Sequence, residues 1–358
     1  MKSCLHIILS AFVAMCLITG CKKSDNPIIP KAPPSAILTS EANVVIEPTS
    51  IAVANSTLLL YQGALQFQTT PSQQNLANCK QLWLNATQNY EQSSAMLFGP
   101  FGSLGADPIS LINTYPIDTA GINTVIKSSA VFSQNYIDSL PSYLIGLHGI
   151  EYELYGVNGN KAVSQFTTQQ LSYIAAVSLN IALLTAPLDS AWNLSYPGNY
   201  NYQFAYAGSG STIYPDQRAA FSDLIMAIAN ICETGAIYKL SGAFANNNPL
   251  LQESPFANNS VQDIENNIVG VRNIYLGVYN NQTGTGLSQF VSQYNPPFDL
   301  KIKSDINNAI VALNKITVPL NQAIVSQPAQ IHNAMNMCDS LDDDLKNDLQ
   351  MFVDRYAQ

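Results

Sequence analysis

Helical periodicity is the feature that most constrains the fold of this chain. After residue 41, apolar side chains recur every three or four residues over long segments, as they do on one face of an α-helix. Gly, Pro and Asn mark the loops between these segments, and the alternation typical of strands is scarce. We therefore predict an all-α protein built from packed helical bundles. The predicted helices cover residues 50–68, 72–97, 136–155, 167–185, 215–241, 259–279, 300–325 and 329–354.

Composition and charge exclude some classes of protein. The 358 residues are 47% hydrophobic and only 11% charged, so the chain has enough apolar material to bury a core and is not a disordered protein. The net charge is −9, and the chain has only three arginines, Arg218, Arg272 and Arg355. Because nucleic-acid binding depends on neutralising phosphates with basic side chains, we expect no nucleic-acid partner.

The first 21 residues, MKSCLHIILSAFVAMCLITGC, have the pattern of an export signal. One lysine precedes an apolar run from Ile7 to Ile18, which is too short for a stable membrane span. The run ends in Thr-Gly-Cys, and the whole segment resembles a bacterial lipoprotein signal. We predict that residues 1–20 are a signal peptide and that Cys21 carries the lipid. The alternative is an ordinary secretory signal with a chance cysteine.

A Pro-rich polar segment, residues 21–41, follows the signal and is predicted to tether the folded part to a membrane. Lys22 follows the lipidated cysteine, which favours the outer membrane and leaves the periplasmic face or the cell surface open. Three cysteines remain beyond Cys21, an odd number that predicts buried free thiols and not a disulfide scaffold. These are Cys79, Cys232 and Cys338.

The chain also shows a candidate internal duplication. Residues 132–152 align without a gap with residues 256–276, with apolar positions in common and Gly146 paired with Gly270. Because self-similarity at a fixed spacing indicates repeated architecture, we predict two related bundles. The first would cover residues 42–195 and the second residues 196–358.

The segment GLHGIEYELYG, residues 146–156, is the strongest candidate for a functional site. His148 and Glu151 are three residues apart, so they lie on one face of the predicted helix and can address a single point. Imidazole and carboxylate are suitable ligands for iron or zinc. Gly146 has no side chain, which lets another helix or a ligand approach. The structural alternative is a buried hydrogen bond between His148 and Glu151.

Two ligands do not complete a metal site, which needs about four to six donors. Asp118, Glu253 and Asp263 are candidates for the others. The zinc protease pattern H-E-x-x-H is absent, and beyond the signal only His148 and His332 remain, so one chain cannot form a three-histidine zinc site. No G-x-S-x-G motif supports a serine hydrolase.

Four segments in order resemble the imelysin family, also called insulin-cleaving membrane proteases. They are LWLNATQNYEQSSAMLFGP, INTYPID, GLHGIEYELYG and ESPFANNSVQDIENNIVGVRNIYLG. The resemblance implies an all-α fold of two related helical bundles, export from the cell, and a link to bacterial iron uptake. It also implies that the retained residues Gly146, His148, Glu151, Asp118 and Glu253 belong to the site.

The expected function is that of a lipid-anchored binding protein with its site between the two bundles. His148 and Glu151 would contact iron or zinc, Gly146, Asp118 and Glu253 would contact the ligand, and Arg272, which aligns with His148 in the duplication, would contact an anion. Iron-transport components are the expected partners, and no catalytic residue is assigned. Two alternatives stay open: a metallopeptidase that uses His148 and Glu151, and a glycan-binding surface lipoprotein with Tyr-rich loops.

Overall fold

Helices make up nearly all of the structure, a computed structural model that describes residues 32–103, 108–193, 199–245 and 251–357. The described residues belong to one compact unit that begins at Ala32. The all-α prediction is confirmed. The predicted signal peptide and the lipidation site at Cys21 lie outside the described residues.

The described ranges hold eighteen α-helices and one short β-ribbon. The helices, α1 to α18, are Pro34–Ser40, Glu47–Thr69, Gln73–Ser93, Pro100–Ser103, Pro108–Asn113, Thr119–Lys127, Gln134–Asp138, Gly146–Tyr155, Thr168–Trp192, Tyr200–Ala205, Gln217–Asn230, Lys239–Ala245, Ser260–Leu276, Leu287–Ser292, Pro296–Asn314, Leu320–Ser326, Pro328–Asp343 and Gln350–Tyr356. Three π-helical segments are Glu41–Ile46, Ile231–Tyr238 and Asp344–Leu349, and three 3₁₀ turns are Ser94–Met96, Ser142–Leu144 and Val163–Gln165. The ribbon pairs β1, Val278–Tyr279, antiparallel with β2, Gln282–Thr283.

The predicted tether is wrong at its C-terminal end. Residues 34–40 form α1, and the chain continues without a loop into the π-helical segment Glu41–Ile46. Ile37 and Leu38 are fully buried in the core. The apolar side chains in the sequence PSAILTSE explain the correction, because they can be buried only if the backbone forms a packed helix.

The predicted helix over residues 136–155 is not continuous. α7 ends at Asp138, the turn Ser142–Leu144 follows Pro141, and α8 begins only at Gly146. Proline lacks the N–H that a helix interior needs, and Gly146 has φ +85°, which is outside the helical region. The predicted helix over 300–325 is broken in the same way, before Pro319.

Buried apolar side chains form two clusters. The motif cluster contains Trp83, Ile150 and Tyr173, and the C-terminal cluster contains Trp192 and Phe221. Both tryptophans are fully buried, and the three cysteines are buried and free, as predicted. The division of the chain at residue 195 and the internal duplication stay predictions.

Two long helices contribute to both clusters. α2 places Val53 in the C-terminal cluster and Leu60 and Phe67 in the motif cluster. α9 places Ile181 in the motif cluster and Leu188 in the C-terminal cluster. α2 and α9 pack against each other along their length, and therefore connect the two clusters rigidly.

Three helical segments are long and apolar enough to cross a membrane, as judged by length and composition only. They are Pro34–Thr69, Thr168–Trp192 and Gln217–Ala245. Between 44% and 61% of their most apolar windows is buried inside the protein. Their apolar side chains therefore supply much of the core of the bundle.

Candidate functional site

Helix α8 starts where the backbone of α5 approaches it closely. A Cβ atom on Gly146 would lie 2.7 Å from the carbonyl oxygen of Ile112 in α5, so any side chain here would collide with backbone. Trp83 donates a hydrogen bond from Nε1 to the carbonyl of Leu147 at 2.8 Å, and Tyr173 donates to the carbonyl of Leu144 at 2.5 Å. These contacts fix the first turn of α8, and with it the position of His148.

Glu151 orients His148. Its Oε2 atom lies 3.1 Å from His148 Nδ1, and its Oε1 atom accepts the backbone N–H groups of Phe256 and Ala257, both at 2.8 Å. His148 is 1% exposed and Glu151 is fully buried. Both carboxylate oxygens are therefore occupied, and the predicted pair is brought together as one hydrogen-bonded unit.

The second ring nitrogen of His148 faces a small cavity. Nε2 is buried without a hydrogen-bond partner, and Glu253 Oε1 lies 3.8 Å away, beyond hydrogen-bonding distance. The cavity has a volume of about 90 Å³ and is bordered by Tyr115, Pro116 and Phe256 as well. A volume of this size holds a few waters or a small ion, since one water needs about 10–15 Å³ on the same measure.

Glu253 links His148 to a second buried group of charges. Its Oε2 atom lies 2.6 Å from Lys239 Nζ, which also contacts Glu91 Oε2 at 2.8 Å. Asn113 donates through Nδ2 to Oε1 of both carboxylates at 2.9 Å, and Asn267 donates to Glu91 Oε2 at 2.7 Å. The site thus extends from α8 through the segment 251–259 to α3, α12 and α13.

The pKa values of these groups reflect burial and pairing. Burial disfavours the imidazolium form, but the hydrogen bond to Glu151 and the charge of Glu253 outweigh it and raise the pKa of His148 to about 10. Burial alone would raise the pKa of Glu253, yet Lys239 and His148 lower it to about 2. Burial, followed by repulsion from Glu253, raises the pKa of Glu91 above its usual value. At neutral pH the His148 and Glu253 side chains are both charged.

Most of the chain matches one known protein family. A sequence profile of imelysin proteins matches residues 50–347. The chain belongs to the imelysin family. The predicted resemblance is therefore confirmed.

Among curated relatives of this imelysin protein, "Iron-regulated protein A" of Synechococcus elongatus is 24% identical over 289 residues, which is 80% of this chain and 77% of that protein. A solved putative iron-regulated protein A precursor from Parabacteroides distasonis superposes with a TM-score of 0.78 at 21% identity, covering 91% of this chain and 97% of that one. An imelysin-like protein from Psychrobacter arcticum gives 0.70 at 15% identity, covering 91% and 96%. At these identities the two solved structures support the fold alone.

Two predicted ligand residues of the imelysin protein lie outside this cluster. Asp118 is exposed and caps α6, where its Oδ1 accepts the N–H of Gly121 at 2.9 Å. Arg272 donates to Asn273, its neighbour in the chain, at 3.3 Å. Among the contacts of the described residues, neither side chain joins the cluster around His148. Glu253 joins it, whereas Gly146 serves the packing of α8 against α5.

Four members of the cluster were not predicted from the sequence. Glu91, Asn113, Lys239 and Asn267 lie on four different helices, and no sequence spacing connects them. Lys239 carried the only available signal, because it is a lone lysine in the apolar segment ICETGAIYKLSGAF. A charge in such a segment is either exposed or paired, and here it is 93% buried and paired.

Only some of the donor atoms that a metal ion needs are present beside His148 in the described part of the chain. The described ranges contain no group of three or more His, Cys, Asp and Glu side chains placed to hold one. His148 Nε2 and Glu253 Oε1 are two suitable donors beside one cavity, and Glu151 supports the imidazole from the other side, as carboxylates commonly do in metal sites. A bound ion would need water or an added ligand for its other positions.

Proposed function

We propose that this imelysin protein is an exported, lipid-anchored binding protein with a role in bacterial iron uptake. Its relatives in Synechococcus and Parabacteroides are named iron-regulated protein A, and the name of the second includes the word precursor. Both names agree with the iron link, and the word precursor agrees with the export that the N-terminal segment predicts. The partners of such a protein would be iron-transport components of the cell envelope.

The observation that carries the proposal is the free ring nitrogen of His148. A buried imidazole nitrogen without a partner is rare, because burying an unsatisfied polar group costs about 1–3 kcal/mol. Here the nitrogen borders a cavity, next to an ionised carboxylate. Such an arrangement is expected where a ligand completes the hydrogen bonding or coordination.

We assign the ligand as a metal ion, with iron before zinc. His148 Nε2 and Glu253 Oε1 would contact the ion, which would replace the proton on Nε2. Glu151 would hold the imidazole in place and not bind directly, because its oxygens face His148 Nδ1 and the backbone of Phe256 instead of Nε2. Water or a chelating molecule would supply the remaining donors.

The size of the cavity favours an ion over a larger ligand. Sites for organic ligands usually measure about 300–1,000 Å³, against about 90 Å³ beside His148. A peptide bond or a sugar ring would not enter without a rearrangement of the surrounding helices. We therefore favour binding over the metallopeptidase and glycan-binding alternatives.

Metal titration tests the proposal. A soluble form lacking residues 1–21, which keeps the compact unit that begins at Ala32, is titrated with ferrous, ferric and zinc ions, and bound metal is measured by elemental analysis. His148→Ala is the test variant. His332→Ala is the matched control, because His332 is exposed and packs on Phe244 far from α8 in the sequence.

The proposal expects bound iron in the parent protein and in His332→Ala, and its loss in His148→Ala. Equal binding by all three proteins would show that the metal lies elsewhere. No binding by any of them would exclude a simple metal ion and direct the search to preformed iron chelates, tested with the same variants.

Membrane anchoring has a separate test. In the full-length protein, Cys21→Ala should move the protein from the outer-membrane fraction to the soluble fraction, because the lipid has no other proposed attachment point. An unchanged distribution would contradict a lipid anchor at Cys21.

A further inference from the structure

The ammonium group of Lys239 lies in a cage of oxygen atoms. Its Nζ atom is 2.6 Å from Glu253 Oε2, 2.8 Å from Glu91 Oε2 and 3.0 Å from Asn267 Oδ1. Lys239 is 93% buried, and Glu91 and Glu253 are inaccessible to solvent at their side chains. The three oxygens come from α3, the segment 251–259 and α13, so tertiary packing assembles the cage.

This donor set is the one that hard cations prefer. Ca²⁺ binds carboxylate and amide oxygens at about 2.3–2.6 Å, only a few tenths of an ångström shorter than the distances to Lys239 Nζ. Asn113 holds the two carboxylates together, since its Nδ2 donates to Oε1 of both. The cage itself therefore has two carboxylates and one amide oxygen around one buried positive charge.

We propose that Glu91, Glu253 and Asn267 form a second cation site, which this chain fills with its own lysine, and that an oxygen-preferring divalent cation occupies the site when the lysine is removed. In the natural protein the Lys239 ammonium balances the buried carboxylates, so this part of the core needs no bound metal. It also occupies Glu253 Oε2. Oε1 of Glu253, which also accepts a hydrogen bond from Asn113, is the oxygen that lies toward His148, and Lys239 thereby sets how a ligand there can be bound.

The inference shares Glu253 with the proposed iron site but does not depend on iron binding. It concerns the opposite oxygen of that carboxylate and does not involve His148. A calcium response in the absence of Lys239 should therefore persist when His148→Ala is added. Measuring the calcium response in a protein that carries both Lys239→Ala and His148→Ala therefore distinguishes failure of the cation site from failure of the proposed iron site.

The test uses Lys239→Ala, which removes the ammonium and leaves space in the cage. Thermal unfolding and bound calcium are measured in a chelator and in millimolar Ca²⁺. We expect about one calcium ion per chain and a clear rise of Tm with calcium, because a ligand that binds only the folded state stabilises it. The parent protein should bind no calcium in the cage, and its Tm should be the same in chelator and in calcium.

Two further variants make the test specific. Lys161→Ala is the matched control: Lys161 contacts the buried Glu153 at 3.0 Å, but it faces only that one carboxylate and so leaves no cage. Lys239→Ala combined with Glu91→Gln removes one of the two cage carboxylates. It should lose most of the calcium response while regaining stability in chelator, because less negative charge is left unpaired.

Three results would overturn the inference. The first is a folded Lys239→Ala protein whose Tm and calcium content do not respond to calcium. The second is a Lys239→Ala protein that stays unfolded even when it is refolded in calcium. The third is an equal calcium response in Lys161→Ala, which would show that removal of any lysine paired with a buried carboxylate produces calcium binding.

Discussion

At the scale of single residues, His148 and Glu151 have different roles within one motif. The spacing of three residues puts both side chains on one face of α8, and the structure joins them to each other. Glu151 also accepts two backbone N–H groups from the segment 251–259. The glutamate therefore connects α8 to a distant part of the chain and leaves Nε2 of the histidine without a hydrogen-bond partner.

Truncation of Glu151 should destabilise the protein strongly. Glu151→Ala leaves a buried imidazolium and two buried N–H groups without partners, so we expect a loss of about 3–5 kcal/mol in the free energy of unfolding. Glu151→Gln keeps an acceptor for the two N–H groups and should cost less, about 1–3 kcal/mol. Denaturant unfolding of both variants at neutral pH measures the difference. Equal losses of unfolding free energy in both variants would mean that the negative charge of Glu151, and not its hydrogen bonds to the two N–H groups, determines its contribution to stability.

At the scale of elements, α8 depends on the glycine at its first position. Gly146 has φ +85°, and the carbonyl of Ile112 occupies the place of its missing side chain. The same kind of contact occurs at Gly270 in α13, where a Cβ atom would collide with the carbonyl oxygen of Gln92. Both glycines let the backbones of two helices approach each other closely.

Gly146→Ala should therefore destabilise the protein by about 2–5 kcal/mol, since strain of the backbone and overpacking add. Gly242→Ala is the control, because Gly242 lies in α12 with nothing within 4 Å of an added Cβ. That variant should be neutral or more stable by up to about 1 kcal/mol. Thermal and denaturant unfolding compare the two. A mild effect of Gly146→Ala would mean that α5 can move away at low cost.

The acidic segment at the end of α17 provides an element-scale prediction about pH. Burial, followed for Asp342 by repulsion from Glu233 and Asp343, raises the pKa of Asp342 to about 6, and burial and Asp305 raise that of Asp344 to about 6. Raised carboxyl pKa values mean that the folded state binds more protons than the unfolded state between about pH 4 and 6. The contribution of these two groups to stability is therefore fully present below about pH 4 and is lost as the pH rises through about 6.

Asp342→Asn should reduce this pH dependence and raise the stability at pH 7. Asp189→Asn, which changes an exposed carboxyl on the distant helix α9, should follow the parent protein. The free energy of unfolding is measured for the three proteins between pH 4 and 7. Parallel curves for Asp342→Asn and the parent protein would contradict a raised pKa at Asp342.

At the scale of the whole molecule, the two apolar clusters are connected by two long helices and by buried ion pairs. α2 and α9 contribute to both clusters, and the ion pairs of Lys239 connect α12 with α3 and with Glu253. Neither cluster is formed by one continuous part of the chain. The described part of the chain should accordingly unfold as one cooperative unit.

Calorimetry of the form lacking residues 1–21 should show one transition, with equal calorimetric and van't Hoff enthalpies. The physical reason is that unfolding either cluster would expose the apolar faces of α2 and α9 in the other. Two resolved transitions would instead indicate independent bundles, with a boundary close to residue 195.

Long periodic segments were the part of the fold that could be predicted from the sequence. α2, α3, α9, α13 and α17 lie where the apolar spacing places them, because burying one face of a helix is a local property of the pattern. The breaks at Pro141 and Pro319 and the helical end of the tether were misjudged. In each case the distinction between a short helix and a loop depends on packing against distant residues, which the local pattern does not report.

For the candidate site, the amino-acid sequence alone was enough to predict the helical class, the family, and the position of His148 and Glu151 on one helix face. These follow from side-chain spacing along a single helix. The other features became visible only in the folded protein. Glu151 orients the histidine, Glu253 shares its cavity while Asp118 and Arg272 do not, and Lys239 lies among buried oxygens. The reason is that helices far apart in the chain supply these groups, and the burial that sets their charges exists only once the helices have packed.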